Sequence, residues 1–457
     1  MKAALGILLL VLGTAYGQGN GGCSGTGMSP YDYSQALCMS PLFYEAQRSG
    51  KLPADQRVTW RADSGLQDGA DVGLDLTGGY YDAGDYVKFN FPMAASVTAL
   101  AFGLHAFPSG MSTAGQTNYV KAAVKWGSDY FLKCVQGPTT LWGQVGDPDV
   151  DHAYWGRPED MTETRVSYKI DASAPGTDLA AETAAALAGA AVVHSGSYAS
   201  ECVSAAEQMY TFADEHRGKY SNSIDKAANF YSSYSFHDEL PWAALWLYLA
   251  TGENSYLSDA EGYIQEFGLL DADVLNVDWD DKTAGVYALM VEIDGGSQYT
   301  SALQGYVDNL LSYQHTPGGM VYISDWGSLR EAVNAAFIAA RAASLGIKAS
   351  SYNNWAQSQA DYALGSIGHS YVCGFGNNPP THPHHGSSSC PVAPQPCGWN
   401  EYNSADPNPQ TLFGALVGGP DAQDNYVDDR DDYIHNEVAC DYNALFTGLL
   451  AAMVELH

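Results

Sequence analysis

The stretch DLAAETAAALAGAAVVHS, residues 178–195, shows the pattern that decides the fold class. Its apolar residues recur at i, i+3, i+4 and i+7, and alanines lie on more than one face, as in a helix packed on two sides. About a dozen segments fit this template, several of them end at glycine, and no convincing run of alternating residues indicates a strand. Further examples are YSQALCMSPLFYEAQRSG (33–50), AASVTALAFGLHAF (94–107), DELPWAALWLYLATG (238–252), SLREAVNAAFIAARAASLG (328–346) and ALFTGLLAAMVE (444–455). The residues alone therefore predict a large all-α domain with long loops between its helices.

The N-terminus resembles an export signal. One lysine precedes an apolar run from Ala3 to Leu12, and small residues follow in Ala15-Tyr16-Gly17. This layout is typical of a cleaved signal peptide, and the run is too short to span a bilayer as an anchor. No linker rich in Ser, Thr or Pro divides the rest of the chain. We therefore expect a signal peptide over residues 1–17, one domain over 18–457, and a secreted, extracellular protein.

Composition restricts the partners. The 457 residues include 52 acidic and 20 basic side chains, which leaves a net charge of −32. Such a surface disfavours nucleic acid and anionic membranes, whereas a neutral polymer such as a glucan is compatible with it. The 8 cysteines of an exported chain suggest some disulfides, with Cys390 and Cys397, which flank a Pro-rich loop, as the most plausible local pair.

The stretch GGYYDAGDYVKFNFP, residues 78–92, places Asp82 and Asp85 three positions apart. Acidic side chains at this spacing point the same way in a helix-like turn, and Gly84 permits a sharp one. Two converging carboxylates can hold a water molecule and take a proton from it. A solvated turn is the commoner role for such a motif, but these flanks are aromatic and apolar.

A second acidic and aromatic block, YVDDRDDYIHNEVACDYNA, spans residues 426–444. Together the two blocks resemble glycoside hydrolase family 9, the inverting cellulases. The C-terminal signature of that family is met at every position, by Tyr426, Asp428, Tyr433, Glu437, Ala439, Asn443 and Ala444. The resemblance runs from Tyr31, through FYEAQRSGKLP (43–53) and RPEDM (157–161), to the final helix.

This resemblance implies a secreted endo-β-1,4-glucanase, a single-domain member of animal type, folded as an (α/α)6 barrel. It assigns Asp85 as general base, Asp82 as its partner on the water and Glu437 as general acid. Glu437 must then stay protonated, and aromatic neighbours could raise its pKa by desolvation. Taken alone, Glu437 is more simply explained as a charge at a helix N-terminus, and the complete signature favours the catalytic role.

Sugar rings stack their C–H faces on aromatic side chains and need polar partners for their hydroxyls. Most aromatic residues of any protein belong to its core, so only those in loops beside polar residues are candidates. By resemblance the substrate-binding residues are His152, Trp155, Trp326, Arg330, His384, Asp428 and Tyr442.

Two positions depart from the family pattern. Gly386 stands where an arginine follows the sugar-binding histidine, and Glu331 stands where an aromatic residue often follows Arg330. If the missing guanidinium grips a sugar hydroxyl, Gly386→Arg should improve catalysis, unless the loop is reshaped and the side chain crowds the cleft. The nearby His382, His384 and His385 lack the spacing of a zinc site.

Adjacent acids precede a helix in SFHDELPW and follow Trp279. Such acids commonly cap helices, but oxygen-rich clusters also bind calcium. Members of the family often carry a structural calcium at the DEL site. We therefore predict calcium at Asp238, Glu239 and Asp280, and no organic cofactor.

Two alternatives to the endoglucanase remain open. One is a secreted glucan-binding protein with weak or no catalysis, suggested by Gly386. The other is an inverting hydrolase of a mixed-linkage β-glucan. We expect a monomer that acts on a β-1,4-glucan, with no nucleic-acid or membrane partner.

Overall fold

The computed structural model describes residues 20–24 and 31–457, so the predicted signal peptide lies outside the described residues. Twelve of the described helices have 11 or more residues. They are α1 (Tyr33–Gln47), α2 (Asn90–Ala106), α4 (Thr117–Cys134), α6 (Thr177–Val193), α7 (Gly196–Glu215), α9 (Glu239–Thr251), α10 (Asn254–Glu266), α11 (Thr283–Ile293), α12 (Ser297–Ser312), α13 (Ser328–Ser344), α14 (Ala349–Leu364) and α18 (Cys440–Leu456). Six shorter helices lie in the connections: α3 (Pro108–Thr113), α5 (Pro148–Asp151), α8 (Asp225–Ala228), α15 (Gly386–Ser389), α16 (Trp399–Tyr402) and α17 (Tyr433–Asn436).

The twelve long helices form two concentric rings. Helices α2, α6, α9, α11, α13 and α18 pack each against the next, and α18 closes the ring on α2. Helices α4, α7, α10, α12, α14 and α1 pack outside them, on α2, α6, α9, α11, α13 and α18 respectively. The predicted (α/α)6 barrel is therefore confirmed.

Side-chain size explains why the inner helices are inside. In α6, 15 of 17 residues are buried, and alanine is the commonest of them, at seven positions. Small side chains let helix axes approach closely, as at Gly103 of α2, where an added Cβ would lie 2.8 Å from the Cα of Gly448 in α18. Outer helices such as α4 and α12 bury only one face.

A small antiparallel sheet adds to the helices and was not predicted. Its order is β1 (Lys88–Phe89), β2 (Thr140–Val145) and β3 (Ser167–Asp171). Strand β1 pairs Lys88 with Val145 and Phe89 with Gln144, and it begins three residues after Asp85. The Lys88 ammonium is buried, forms an ion pair with Asp68 at 2.7 Å and donates to the Leu76 carbonyl at 2.7 Å. The sheet and this lysine hold the segment that carries Asp82 and Asp85.

Two disulfides join Cys23 to Cys38 and Cys390 to Cys397. The second confirms the predicted local pair. The four other cysteines, at positions 134, 202, 373 and 440, are buried thiols. Within residues 20–24 and 31–457, no helix combines the length and the apolar character needed to cross a bilayer.

Candidate active site

A cleft of about 680 Å³ brings the two acidic blocks together. Asp82 and Asp85 of the first block and Glu437 and Tyr442 of the second all line it. Residues more than 300 positions apart in the sequence thus line the same cleft, which is the arrangement expected of an enzyme site.

Backbone hydrogen bonds lock three loops of this cleft to one another. The Cys440 amide donates to the Asp82 carbonyl at 2.9 Å, and the Gly386 amide donates to the Gly84 carbonyl at 2.9 Å. The His384 amide donates to the Asn436 carbonyl at 2.8 Å, next to Glu437. A Cβ at Gly84 would lie 2.2 Å from the His384 carbonyl oxygen, so this close approach requires glycine.

Asp85 combines one engaged oxygen with one free oxygen. Its Oδ2 accepts a hydrogen bond from His152 Nε2 at 3.1 Å. Its Oδ1 is buried and has no hydrogen-bond partner among the described residues, although the side chain is 15% exposed at the cleft wall. A carboxylate with a free oxygen beside a cleft is placed to accept a proton from water.

Asp82 lies deeper, where its carboxyl accepts a hydrogen bond from the Tyr231 hydroxyl. Burial, and then the charge of Asp85, raise the pKa of Asp82 well above its usual value, with the Tyr231 bond opposing them. Asp82 and Asp85 therefore differ in environment despite their short separation in sequence.

Glu437 has the environment of a general acid. Burial, followed by the charge of Asp85, raises the pKa of Glu437 to about 8, against the opposing charge of His152. Its carbonyl accepts from the Gly418 amide at 2.9 Å, which fixes the backbone just after α17. A carboxyl with this pKa is protonated at neutral pH and can donate a proton.

His152 carries a proton beside Asp85. Burial lowers its pKa, but the hydrogen bond and the charge of Asp85 outweigh that effect and raise the pKa of His152 to about 9. Its neighbour Asp151, which the sequence did not single out, is buried and accepts from the Tyr86 amide at 3.1 Å. Burial, and then the charge of Asp85, raise the pKa of Asp151 to about 7.

Aromatic side chains form much of the cleft wall. The predicted Trp155, Trp326 and Tyr442 are all there, and Trp326 is 49% exposed. The structure adds aromatic residues that the sequence did not single out: Tyr154, Phe230, Tyr231, Trp279, Trp399 and Tyr402. Flat, partly exposed rings with a few acids between them suit a chain of sugar rings.

Residues 33–450 match the family described as Glycosyl hydrolase family 9. The chain belongs to this family.

The similar proteins are endoglucanases. Endoglucanase A of Bacillus pumilus is 43% identical over 455 residues, which cover 95% of this chain and 68% of that protein. Endoglucanase B of Cellulomonas fimi is 44% identical over 478 residues, which cover 100% of this chain but only 44% of the relative. A solved endoglucanase of the termite Nasutitermes takasagoensis is 57% identical and superimposes with a TM-score of 0.92 over 93% of this chain and 99% of its own. The predicted family and enzyme class, a cellulase among the glycoside hydrolases, are confirmed.

In this family 9 enzyme, Arg330 is held by two acids. Its guanidinium contacts Glu331 at 2.6 Å and Asp441 at 3.2 Å, and it lies over the Tyr442 ring, 5.5 Å from the ring centre. Arg330 lines the cleft, whereas Glu331 is buried behind it. The unusual Glu331 therefore orients a cleft arginine instead of offering a ring to substrate.

His384 lines the cleft as predicted, and Asp428 does not. His384 Nδ1 donates to the Arg430 carbonyl at 2.7 Å, and burial lowers the pKa of His384, so Nε2 of the neutral ring is left as an acceptor. The Asp428 carboxylate instead accepts from the Thr381 amide at 2.8 Å and the His382 amide at 2.9 Å. Asp428 thus supports the loop that carries His384.

Position 386 is more crowded than the sequence suggests. A Cβ there would lie 2.7 Å from the Tyr86 hydroxyl oxygen, which is buried and donates to the Gly156 carbonyl. This crowding predicts that Gly386→Arg alone leaves kcat/KM level or lowers it. The double variant with Tyr86→Phe, which removes that oxygen, should exceed the single variant.

The measurement is kcat/KM on a cello-oligosaccharide for the wild type, both single variants and the double variant. Recovery of a charge-assisted hydrogen bond would contribute about 1.5–3 kcal/mol, or roughly ten- to a hundredfold. A Gly386→Arg variant that gains activity of this size without Tyr86→Phe would show that the crowding argument is wrong.

Of the predicted calcium ligands, Asp238 and Glu239 stand at the start of α9, and Asp280 lies in the segment just before α11. The Lys282 amide donates to Asp238 at 2.6 Å, and the Lys282 ammonium donates to Glu239 at 2.8 Å. Asp280 accepts from the Tyr234 amide at 3.0 Å. Glu239 Oε2 and Asp280 Oδ1 are buried, and neither has a hydrogen-bond partner in the part of the chain that the structure describes.

Proposed function

We propose that this cellulase cleaves internal β-1,4-glucosidic bonds with inversion, using Asp85 as base and Glu437 as acid. One observation carries the proposal: a single cleft contains a carboxylate with an unpaired oxygen and a carboxyl that burial keeps protonated. An acetal opens when its leaving oxygen is protonated while a nucleophile approaches the anomeric carbon, and these two groups supply both functions.

In this reaction Glu437 gives its proton to the glycosidic oxygen as the C–O bond breaks. A water molecule attacks the anomeric carbon from the opposite face, and Asp85 takes the proton that the water loses. Asp82 is the partner of Asp85 on that water. Because the water must fit between base and sugar, we expect the two carboxyl groups to stand roughly 6.5–9.5 Å apart. The new hydroxyl then has the α configuration, and one proton must return from Asp85 to Glu437.

A cellulose-type glucan is the substrate that the relatives support. The cellulase Cel9M of C. cellulolyticum has been solved in complex with cellobiose, is 35% identical to this chain and superimposes with a TM-score of 0.85. The partly exposed rings of the cleft are suited to stack on glucosyl units. Trp155 approaches Tyr402 at 4.7 Å between ring centres, and Trp326 approaches Tyr433 at 5.4 Å.

Reducing-sugar release from carboxymethylcellulose, with the fall in its viscosity, tests the endo action. Proton NMR of the first product tests inversion, because the α-anomer must appear before mutarotation. Mixed-linkage glucan and xylan are assayed in parallel as alternative substrates. A higher kcat/KM on mixed-linkage glucan would favour that substrate, and binding without hydrolysis would favour the non-catalytic alternative.

We also propose that the enzyme is a secreted monomer with neither nucleic acid nor membrane as a partner. Two disulfides support export to an oxidising compartment, and the net charge of −32 supports a soluble chain that avoids polyanions. N-terminal sequencing of the protein from culture medium should begin at residue 18. Light scattering should give the mass of one chain.

Calcium at Asp238, Glu239 and Asp280 is a further part of the proposal. All the donors are oxygens, the hard ligands that calcium prefers, and two of them lack a partner, which supports the proposal. Their oxygens do not all lie within 4.8 Å of one another, so an ion would have to draw them together. Calcium takes roughly six to eight oxygens, so backbone carbonyls or water would complete the set. When bound, the ion would neutralise acids that Lys282 balances only in part.

Calcium should therefore raise the melting temperature of the enzyme. Binding to the native state alone contributes about 2.7 kcal/mol at a hundred times Kd. Asp238→Asn keeps the acceptor for the Lys282 amide and should abolish the rise, whereas Asp273→Asn, at an exposed position seven residues before Asp280, should not. Scanning calorimetry with and without EDTA measures both. Equal melting temperatures for the wild type in EDTA and in excess calcium would refute the calcium site.

A further inference from the structure

Asp85, Asp151 and His152 form a cluster with the donor set of a transition-metal site. Across residues 20–24 and 31–457, it is the only group of three or more His, Cys, Asp or Glu side chains whose ligand atoms all lie within 4.8 Å of one another. Asp151 and His152 are consecutive at the end of α5, and Asp85 comes from the loop before β1. All three residues line the cleft, so an ion has a route to them.

The distances suit a shared ion. His152 Nε2 and Asp85 Oδ2 are 3.1 Å apart. Two ligands that each lie about 2.1 Å from one metal ion are separated by about 3.1 Å when the angle between them is about 95°. His152 Nε2 and Asp85 Oδ2 would therefore need to move little for a metal ion to replace the proton of their hydrogen bond.

Two buried oxygens of the cluster have no partner in the described structure. They are Asp85 Oδ1 and Asp151 Oδ1, and the Asp151 residue is only 3% exposed. Asp151 Oδ2 is already used by the Tyr86 amide, so Oδ1 is the oxygen left for a ligand. A buried carboxylate oxygen without a partner is costly, and a bound cation would remove that cost.

We propose that Asp85, Asp151 and His152 bind one divalent transition-metal ion, such as Zn²⁺, and that this ion inhibits the enzyme. A set of two carboxylates and one imidazole suits zinc, copper or cobalt, whereas calcium and magnesium prefer oxygen ligands alone. Bound through Asp85 Oδ2, the ion would share the carboxylate that must take a proton from the hydrolytic water, and its positive charge would weaken Asp85 as a base. Inhibition therefore rests on the proposed role of Asp85, and binding does not.

The test is a calorimetric titration of the calcium-saturated enzyme with ZnCl₂, repeated with CoCl₂ by absorption spectroscopy. Calcium fills the proposed oxygen-only site in advance. We expect one Zn²⁺ per chain, and a Kd at least about tenfold weaker in Asp151→Asn, since losing even a supporting group of a metal site costs that much. Asparagine retains the acceptor for the Tyr86 amide, so the loop should keep its shape.

Asp149→Asn is the matched control. It removes the same charge from the same short helix, but Asp149 is exposed and pairs with Lys226 at 2.6 Å. Its Kd for zinc should equal that of the wild type. His152→Gln provides a second variant and should lose both the tight site and the visible absorption of cobalt bound there.

Three results would overturn the site: no stoichiometric Zn²⁺ binding, equal weakening by Asp149→Asn, or an unchanged Kd in both Asp151→Asn and His152→Gln. Failure of the hydrolytic function would look different. The metal-free wild type would then release no reducing sugar, whatever its affinity for zinc.

Discussion

Replacing Glu437 with glutamine should lower kcat on cello-oligosaccharides by at least about 10²-fold, the low end for the loss of a general acid. Glutamine has the shape of the neutral carboxyl that burial and the charge of Asp85 favour at this position. It can still form hydrogen bonds of similar geometry, but its amide has no acidic proton to transfer to the leaving oxygen. The KM for substrate should change little, because the lost interaction belongs to the transition state.

The dependence on the leaving group identifies the role. A sugar alkoxide is a poor leaving group and needs protonation, whereas a dinitrophenolate leaves without it. Glu437→Gln should therefore retain far more activity on dinitrophenyl β-cellobioside than on cellotetraose. Glu455→Gln, at the exposed end of α18, is the control and should match the wild type on both substrates.

The pH profile gives a second readout. With the pKa of Glu437 at about 8, wild-type kcat/KM should fall as pH rises through about 8, because the acid loses its proton. That alkaline limb should be missing from Glu437→Gln on the activated substrate. Equal losses by this variant on activated and natural substrates would contradict the general-acid assignment.

The same pKa predicts a stability effect. The folded chain holds the Glu437 proton up to about 8, whereas the unfolded chain releases it near the ordinary value of 4.5. The folded state therefore binds more protons in this window, and the stability contributed by this group falls as pH rises through it. Glu437→Gln should show a smaller decline in melting temperature between about pH 4.5 and 8.

Much of the fold followed from helical periodicity, because the inner helices are long, Ala-rich segments whose pattern is local. The sheet did not. Strand β1 has only two residues, and each of them pairs with a residue of β2 more than 50 positions away in the sequence. No alternating run could signal a strand of that length, because tertiary contacts alone define it.

The three acids that line the cleft, Asp82, Asp85 and Glu437, could be singled out because they stand in continuous motifs. Tyr231 and Asp151 could not, since their contacts with Asp82 and the Tyr86 amide come from separate loops. Tyr231 stands in a stretch with several other aromatic residues, and nothing local distinguishes it. Asp428 belongs to a continuous motif and was predicted to bind substrate, but its side chain instead supports the loop that carries His384, outside the cleft lining.

Asp85→Asn should also lower kcat by at least about 10²-fold. The reagent that restores its activity should differ from the one that restores Glu437→Gln. The amide cannot take a proton from water, so an activated leaving group should not restore the rate. Azide should, because it is a nucleophile that needs no base and can approach the anomeric carbon where water did. The product should be the α-glycosyl azide. Asp75→Asn, at an exposed position before the motif, should behave as the wild type.

Loss of the Asp85 charge should also be visible on its neighbours. That charge and its hydrogen bond raise the pKa of His152 to about 9, so the His152 titration followed by NMR should move to lower pH in Asp85→Asn. The same charge raises the pKa of Glu437, so the alkaline limb of the azide reaction should begin at lower pH than in the wild-type hydrolysis. If the pKa of His152 is the same in Asp85→Asn as in the wild type, then the contact between His152 and Asp85 does not set the protonation of His152. If azide leaves the variant inactive while dinitrophenyl cellobioside restores it, then Asp85 acts on the leaving group and the two acids exchange roles.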